Sequence, residues 1–376
     1  MAKILFICGS IESGKDGVGD YTRRLAGELI RQVHECAIVA IMDKGVEESR
    51  EEQQDSEQTN IPVLRLRYSN GYRLNCKEAK DWIDAFKPDW ISLQYVPFSF
   101  HPRGLPFGFS TALQQLTKGR NLHIMFHELW VGMNLEASNK RRLWGFLQQR
   151  LIKNLVKKLR PDVIHTHTTL YQQQLLKMGV SLTLLPLFGN IPVVHSLSEK
   201  ESLDSISSQK LFTIVLFGSI HYGAPIEAFT TSVSKYAFSN NLDVEIIFLG
   251  RCVAALQEWI VICESKKITI KVFGEQPAAK ISEVLRLADL GVTTTPMLLT
   301  EKSGTVAAMQ EHGLPVLCVS RSWEVNGLSE EFSPAGIQLF KGGDLTHYLL
   351  VKNVIIDDHG IAKISNQFLD SLLKFK

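Results

Sequence analysis

Short apolar runs recur along the chain, separated by longer stretches in which apolar residues return at helical spacing. In the first half the runs fall at 4–8, 36–42, 61–66, 90–93, 122–126, 163–165 and 182–185, and in the second at 212–217, 244–249, 268–273, 290–294, 316–319 and 336–340. A half-buried strand alternates apolar and polar residues. Runs this short and this continuously apolar therefore predict strands covered on both faces. Such strands alternating with helices predict parallel sheets sandwiched between helical layers. The fold class expected is α/β, with two Rossmann-like parallel-sheet domains.

Polar stretches punctuate this pattern. The segment 45–60 is dominated by Glu and Gln and is expected to be a mobile surface loop without function of its own. Phe188-Gly189-Asn190-Ile191-Pro192 leads into the Ser-rich, charged stretch 196–210, which is expected to be a linker. At roughly 100–200 residues per domain, a chain of 376 residues holds two. The expected division is an N-terminal domain over 1–190, a linker over 191–210, a C-terminal domain over 211–355 and a terminal helix over 356–376. That helix carries Ile364, Phe368 and Leu372 on one side.

Composition narrows the setting. An apolar fraction of 45% suffices for two cores, and a formal charge of +2 gives no electrostatic reason to expect a nucleic-acid partner. The six cysteines include no CxxC pair, so neither a disulfide framework nor a zinc site is expected. The opening residues read as a first strand and not as a signal peptide, and no run approaches the ~18 apolar residues of a membrane span. A cytoplasmic location is expected.

In parallel α/β sheets, ligands bind beyond the carboxyl ends of the strands, and two such domains turn those ends toward a shared cleft. The chemistry is therefore sought in strand-end loops. The loop after the first run holds Gly17, Gly19 and Asp20 at the start of a helix; it is either a close-approach ligand loop or a turn with Asp20 as helix cap. The loop 93–104 carries Tyr95 and His101 and is either an acceptor wall or structural. His127 and Glu128 end another run, where an imidazole can contact hydroxyls or simply serve the fold. His165 and His167 form a His-x-His pair, which without further ligands is weak support for a metal.

In the second half, successive strand ends carry Gly218 and Ser219, then Gly250 and Arg251, then Phe273 and Gly274, then Lys302-Ser303-Gly304-Thr305. Singly, each glycine serves a turn. Together they offer a guanidinium fork, an ammonium, two hydroxyls and a helix N-terminus, which are the groups that hold a diphosphate.

In this order the motifs resemble the GT-B glycosyltransferases, most nearly the retaining family-four type. The resemblance spans nearly the whole chain. It rests on Gly17-Val18-Gly19-Asp20-Tyr21-Thr22, on Phe126-His127-Glu128, on Phe273-Gly274 followed by Ala288-Asp289-Leu290, and on Lys302-Ser303-Gly304 running to His312-Gly313-Leu314-Pro315-Val316. It implies a UDP- or GDP-linked sugar donor held mainly by the C-terminal domain, an acceptor sugar, glycan or lipid-linked sugar held by the N-terminal domain, and a role in carbohydrate biosynthesis. It implies no cofactor and no catalytic metal. Carried over by position, Phe273 and Gly274 lie at the base, Ser303, Gly304 and Thr305 at the diphosphate, and His127, with Glu128 beside it, at the donor sugar. The places of the family's two donor-loop glutamates hold Thr300 and Ala308 here. Besides a transferase, a GT-B-fold nucleotide-sugar epimerase and a non-catalytic nucleotide-sugar-binding relative fit this outline.

The stretch 139–160 holds eight Lys or Arg residues, no acid and a leucine-rich helical pattern. It reads either as a helix that buries its leucines in the N-terminal domain, or as a peripheral contact with the inner face of a membrane.

Overall fold

The computed structural model describes residues 1–194, 210–252, 255–328, 334–349 and 360–374. The chain forms two compact units, one of residues Met1–Pro186 with Ile361–Lys376 and the other of Leu187–Gly360. Of the expected linker, 195–209 lie outside the described residues, as do 350–359, 375 and 376 near the C-terminus.

The first unit runs β1 (Lys3–Cys8), α1 (Gly17–Arg31), β2 (Glu35–Asp43), β3 (Arg50–Ser56), β4 (Thr59–Arg67), α2 (Gly71–Phe86), β5 (Trp90–Tyr95), α3 (Pro97–Phe100), α4 (Phe109–Thr117), β6 (Asn121–Phe126), α5 (Asn139–Leu159), β7 (Val163–Thr166), α6 (Thr169–Lys177) and β8 (Thr183–Leu184). The strand order is β3-β4-β2-β1-β5-β6-β7-β8. All neighbours are parallel except β3 and β4. Every residue of β5 is buried, as befits a central strand with helices on both faces, and its polar Ser92 and Gln94 are hydrogen-bonded.

One expectation fails here. The segment 45–60 is not a mobile loop: β3 pairs with β4 residue by residue from Arg50↔Arg65 to Ser56↔Thr59. Its polar residues suit an edge strand, where one side meets water. Those facing inward are held by charge, with Glu52 Oε1 3.2 Å from Arg65 and Gln54 Oε1 3.1 Å from Arg23. The reversal uses Glu57 and Gln58 at φ of 52° and 64°, a pairing of positive angles usually signalled by Asn-Gly.

The second unit runs β9 (Lys210–Phe217), α7 (Ile226–Asn240), β10 (Leu242–Leu249), α8 (Leu256–Ser265), β11 (Thr269–Gly274), α9 (Ala278–Leu287), β12 (Leu290–Thr293), α10 (Gly304–Glu311), β13 (Val316–Cys318), β14 (Ile337–Leu339) and α11 (Thr346–Leu349). Its sheet is parallel, in the order β11-β10-β9-β12-β13-β14. Phe229, Phe248 and Trp259 fill the core on one face, while Val215, Leu249 and Met309 belong to the core on the other.

The last helix, α12 (Ile361–Leu373), returns to the first unit. Phe368 stacks on Phe6 of β1 at 6.1 Å between centroids, and Ser365 Oγ accepts from Gln32 Nε2 at 2.8 Å. Its apolar face is therefore part of the N-terminal core.

On α5, the buried residues are Gly145, Gln148, Ile152 and Leu155. Leu143, Phe146 and Leu147 face solvent instead, at 64%, 46% and 39% exposure. Among the described residues, no helix is long and apolar enough to cross a membrane.

Candidate functional site

In the second unit the glycine loops converge. Gly218 follows β9 at φ +93°, and a Cβ there would lie 2.6 Å from Thr305 Cγ2. Gly250 follows β10 at φ +90°, and a Cβ there would lie 3.4 Å from the Cα of Gly218. The Gly218 N–H donates to Leu249 O at 2.8 Å, and that of Gly250 donates to Gly274 O at 2.7 Å. Three neighbouring strand ends are thus tied edge to edge, and the first lies against the N-terminus of α10. A side chain at Gly218 would break that contact as well as strain the backbone.

Thr300-Glu301-Lys302 lies within a short 3₁₀ segment, Met297–Lys302, and Ser303 caps α10 through a hydrogen bond from Val306 N at 3.4 Å. Ser303 Oγ and Thr305 Oγ1 are 3.0 Å apart. From the β9 loop, the His221 N–H donates to Thr294 Oγ1 at 2.7 Å. The His221 imidazole sits below its usual range, first because neighbouring atoms displace water around it, then because Lys302 and Arg321 repel a further positive charge. The stem of Arg321 lies against Gly223, where a Cβ would be 3.2 Å from its Cδ. Lys302 thus adjoins the cap of α10, and Arg321, on the loop after β13 and against the Gly223 turn, adds to the positive potential around His221. That arrangement attracts an oxyanion through full charges, donor groups and the partial positive charge of the helix terminus.

Sequence reading did not find Arg321. It follows β13 in no recognisable motif, and only the Gly223 loop folding beside it reveals its place. Arg251, expected to reach a phosphate, is 58% exposed in its side chain and gives its guanidinium to Glu275. Phe273 packs partly against the core, and its carbonyl accepts from Gln276 Nε2 at 2.7 Å. Gly274, at φ +63°, has open space where a side chain would stand, and Ser219 is exposed. Thr300 and Ala308, at the glutamate places, are 1% and 0% exposed, so neither meets solvent. Glu311 instead accepts from the Gly189 N–H at 2.8 Å.

In the first unit, His127 is buried between two partners, with Nε2 2.8 Å from Gln94 Oε1 and Nδ1 3.0 Å from His167 Nε2. His167 Nδ1 reaches Leu185 O at 2.9 Å, and the edge of Tyr21 meets both rings. Below this pair, His123 Nε2 lies 3.1 Å from His165 Nδ1, and Ser92 Oγ lies 2.7 Å from His123 Nδ1. Burial and the neighbouring imidazole push His123 well below the usual range; burial and then His167 push His165 down to about 4. His165 and His167 thus serve separate side-chain pairs. Among the described residues, no group of three or more His, Cys, Asp or Glu is placed to hold a metal. Glu128, next to His127, is half-buried.

The cap of α1 is Asp16, which accepts from the Gly19 N–H at 2.8 Å, and not Asp20. Asp20 sits in the first turn, accepts from the Gly14 N–H at 3.1 Å and pairs with Arg23. The helix starts at Gly17, which is exposed, and Gly19 packs against the backbone of Ser10. Tyr95 is 2% exposed and stacks on Phe100. His101 Nδ1 accepts from the N–H groups of Arg103 and Leu105 at 3.1 and 3.3 Å, which closes its own loop.

Two units of parallel sheet and covering helices, with glycine-bearing loops at the strand ends, define the GT-B fold, and solved structures bear this out. The chain is similar to Anabaena HepE in complex with UDP and glucose, at a TM-score of 0.59 and 15% identity over 100% of both chains. It is similar to a glycosyltransferase from Rickettsia africae, at 0.56 and 12% over 99% of this chain and 94% of that one. It is also similar to the UDP-GlcNAc 2-epimerase of Neisseria meningitidis bound to UDP-GlcNAc, at 0.55 and 12% over 99% and 100%. No protein-family model and no curated protein matches the chain. At these identities the likeness is one of fold.

Proposed function

We propose that the protein is a glycosyltransferase that moves a sugar from a nucleotide diphosphate, UDP in the first instance, to an acceptor hydroxyl. The observation that carries this reading is the packing of the Gly218 loop against Thr305 at the Ser303-capped N-terminus of α10, with Lys302 immediately before the cap. Solved structures similar to the chain include one with UDP and glucose and one with UDP-GlcNAc, which favours a UDP-linked donor.

In this reading the donor's diphosphate lies on the Ser303-Gly304-Thr305 backbone, with Lys302 and Arg321 neutralising its charge. As the bond from the anomeric carbon to the diphosphate breaks, negative charge grows on the leaving oxygen. Fixed positive groups stabilise that charge without reorganising, which is where the rate enhancement arises. The acceptor oxygen bonds to the anomeric carbon, its proton passes to the departing phosphate, and the configuration is retained. No metal enters the scheme. Gly274 borders the base, and His127, held by Gln94 and His167, sets the shape of the first unit's strand-end surface.

The test is donor turnover. Purified protein with UDP-sugars and an acceptor panel should release UDP only when a competent acceptor is present. Formation of an epimeric sugar, still linked to UDP or freed together with UDP, without any acceptor would move the assignment to an epimerase. UDP binding without turnover of any donor would make the chain a binding protein.

The outward face of α5 extends the proposal to location. Leu143, Phe146 and Leu147 stand among Arg142, Arg150, Lys153 and Lys157, and no acid lies on the helix. Exposed apolar side chains ringed by cations suit an anionic bilayer surface, so a peripheral contact that brings the enzyme to a lipid-linked acceptor follows.

A further inference from the structure

The second unit holds a cavity away from the candidate donor loops. Its volume is about 770 Å³, and it lies between the outer side of α7 and the turn that follows β14. None of its lining residues comes from the loops after β9, β10, β11, β12 or β13. On α7 the wall runs from Glu227 to Ser239. At 1.5 Å per residue that is about 18 Å, so the cavity is a trough longer than a single sugar ring.

The opposite wall is bare backbone. Gly342 and Gly343 stand at φ of +87° and +89°, and a Cβ on either would meet nothing within 4 Å. Two such angles in succession select glycine. The turn is fixed through its carbonyls: Tyr348 Oη donates to Gly342 O at 2.9 Å, and Ser232 Oγ donates to Gly343 O at 2.6 Å. Tyr348 Oη in turn accepts from the Lys341 N–H at 2.9 Å. The N–H groups of Gly342 and Gly343 have no acceptor among the described residues. The wall is thus rigid and its donors are open, which is the condition for binding without reordering.

The side chains select a class of ligand. The Lys235 ammonium and the Tyr236 hydroxyl have no partner among the described residues, although the Tyr236 ring packs on Phe212 at 5.3 Å. Asp344 Oδ1 accepts from the N–H and hydroxyl of Thr346 at 2.9 and 2.8 Å, which leaves Oδ2 open to another donor. Phe238 is 92% exposed at the trough and adds nothing to the core. Glu227 and Asp344 oppose a polyanion, and Lys235 opposes a cation. A wholly apolar ligand would leave the open donors and acceptors without water or partner. A neutral polyol answers each of them, since hydroxyls both donate and accept, and the C–H face of a pyranose ring packs on an aromatic side chain.

We infer that this trough is a saccharide-binding site separate from the donor loops, and that it takes a glycan of more than one pyranose ring. Its length and its spread of unengaged groups suit successive rings, so single sugars gain little from it. The site stands on its own lining and does not depend on the transferase reading above; in a transferase it would hold an oligomeric acceptor or product between turnovers.

The experiment is saturation-transfer NMR on the full chain, with and without UDP. The probes are three series, each a methyl glycoside, disaccharide and trisaccharide: β-1,4-glucose, α-1,4-glucose and β-1,4-N-acetylglucosamine. At least one series should bind, more tightly as rings are added, and the signal should persist when UDP is present. Phe238→Ala should weaken the trisaccharide about two- to tenfold, the loss of one aromatic contact. Lys235→Ala should weaken it by a similar factor, the loss of about one hydrogen bond. Both side chains are exposed, so both variants should keep the melting temperature. Binding of no series, no gain with length, binding unchanged in both variants, or displacement by UDP would overturn the site. If a trisaccharide binds through Phe238 while UDP does not bind at all, the site stands and the donor reading falls; UDP binding with no saccharide bound gives the reverse.

Discussion

Gly218 and Thr305 touch so closely that a single added carbon on Gly218 would lie 2.6 Å from the Thr305 methyl. One residue ends the first strand of the second unit, and the other opens the helix that caps the candidate diphosphate site. Gly218→Ala should therefore push α10 away and strain the left-handed backbone, at about 1–2 kcal/mol for the conformation alone. A lower melting temperature together with loss of the UDP-induced rise checks it. Retained UDP binding would show that the contact is not part of the site.

Lys302→Ala and Arg321→Ala should each weaken UDP binding about tenfold, as expected for one charge-assisted hydrogen bond. Both residues keep solvent access, so the fold should hold. Calorimetric titration at two salt concentrations measures the effect, and the salt dependence should shrink in each variant. Arg251→Ala, whose fork is engaged by Glu275, should change affinity far less.

Acid should weaken the first unit through its buried imidazoles. His165 falls from 6.5 to about 4 in the fold, so the unfolded chain binds more protons between those values. A lowered folded value makes stability rise with pH: the contribution is complete above about 6.5 and is lost as pH falls toward 4. For His165 alone this amounts to about 3 kcal/mol, with His123 acting in the same direction. Urea midpoints recorded from pH 7 to pH 4 should decline across that window. A flat profile would contradict the buried neutral state of these rings.

Gln58→Gly should stabilise the β3–β4 hairpin by up to about 1 kcal/mol, since Gln58 adopts a φ of 64° that glycine tolerates without strain. Chemical denaturation would show a higher midpoint with an unchanged slope. Destabilisation would mean that the turn relies on the Gln58 side chain.

Phe146→Glu and Leu147→Glu should reduce sedimentation with anionic vesicles and leave the melting temperature within about 0.5 kcal/mol equivalent, because both side chains already face solvent. Neutral vesicles should bind poorly even to the unaltered protein. Equal binding by the Glu variants would exclude α5 as the contact.

Much of the architecture was legible in the sequence. A strand covered on both faces must be largely apolar, so the runs of β1, β5 and β9 declared themselves, and with them the parallel class. The strand-end glycines and the helix start at Lys302-Ser303-Gly304-Thr305 were equally plain, because a helix start and a positive φ restrict residue choice locally. Other features depended on distant partners. Polar β3 is a strand because Arg23 and Arg65 receive its inward side chains, and α12 joins the first unit because Phe6 and His123 meet Phe368. His127 reads as a strand-end contact until Gln94 and His167 occupy both its nitrogens. Arg321 has no local signal at all. Periodicity and backbone propensity are written in neighbouring residues and so fixed the elements. Which charged and polar groups face one another was decided only when those elements packed, because each buried polar group takes its meaning from a partner remote in sequence.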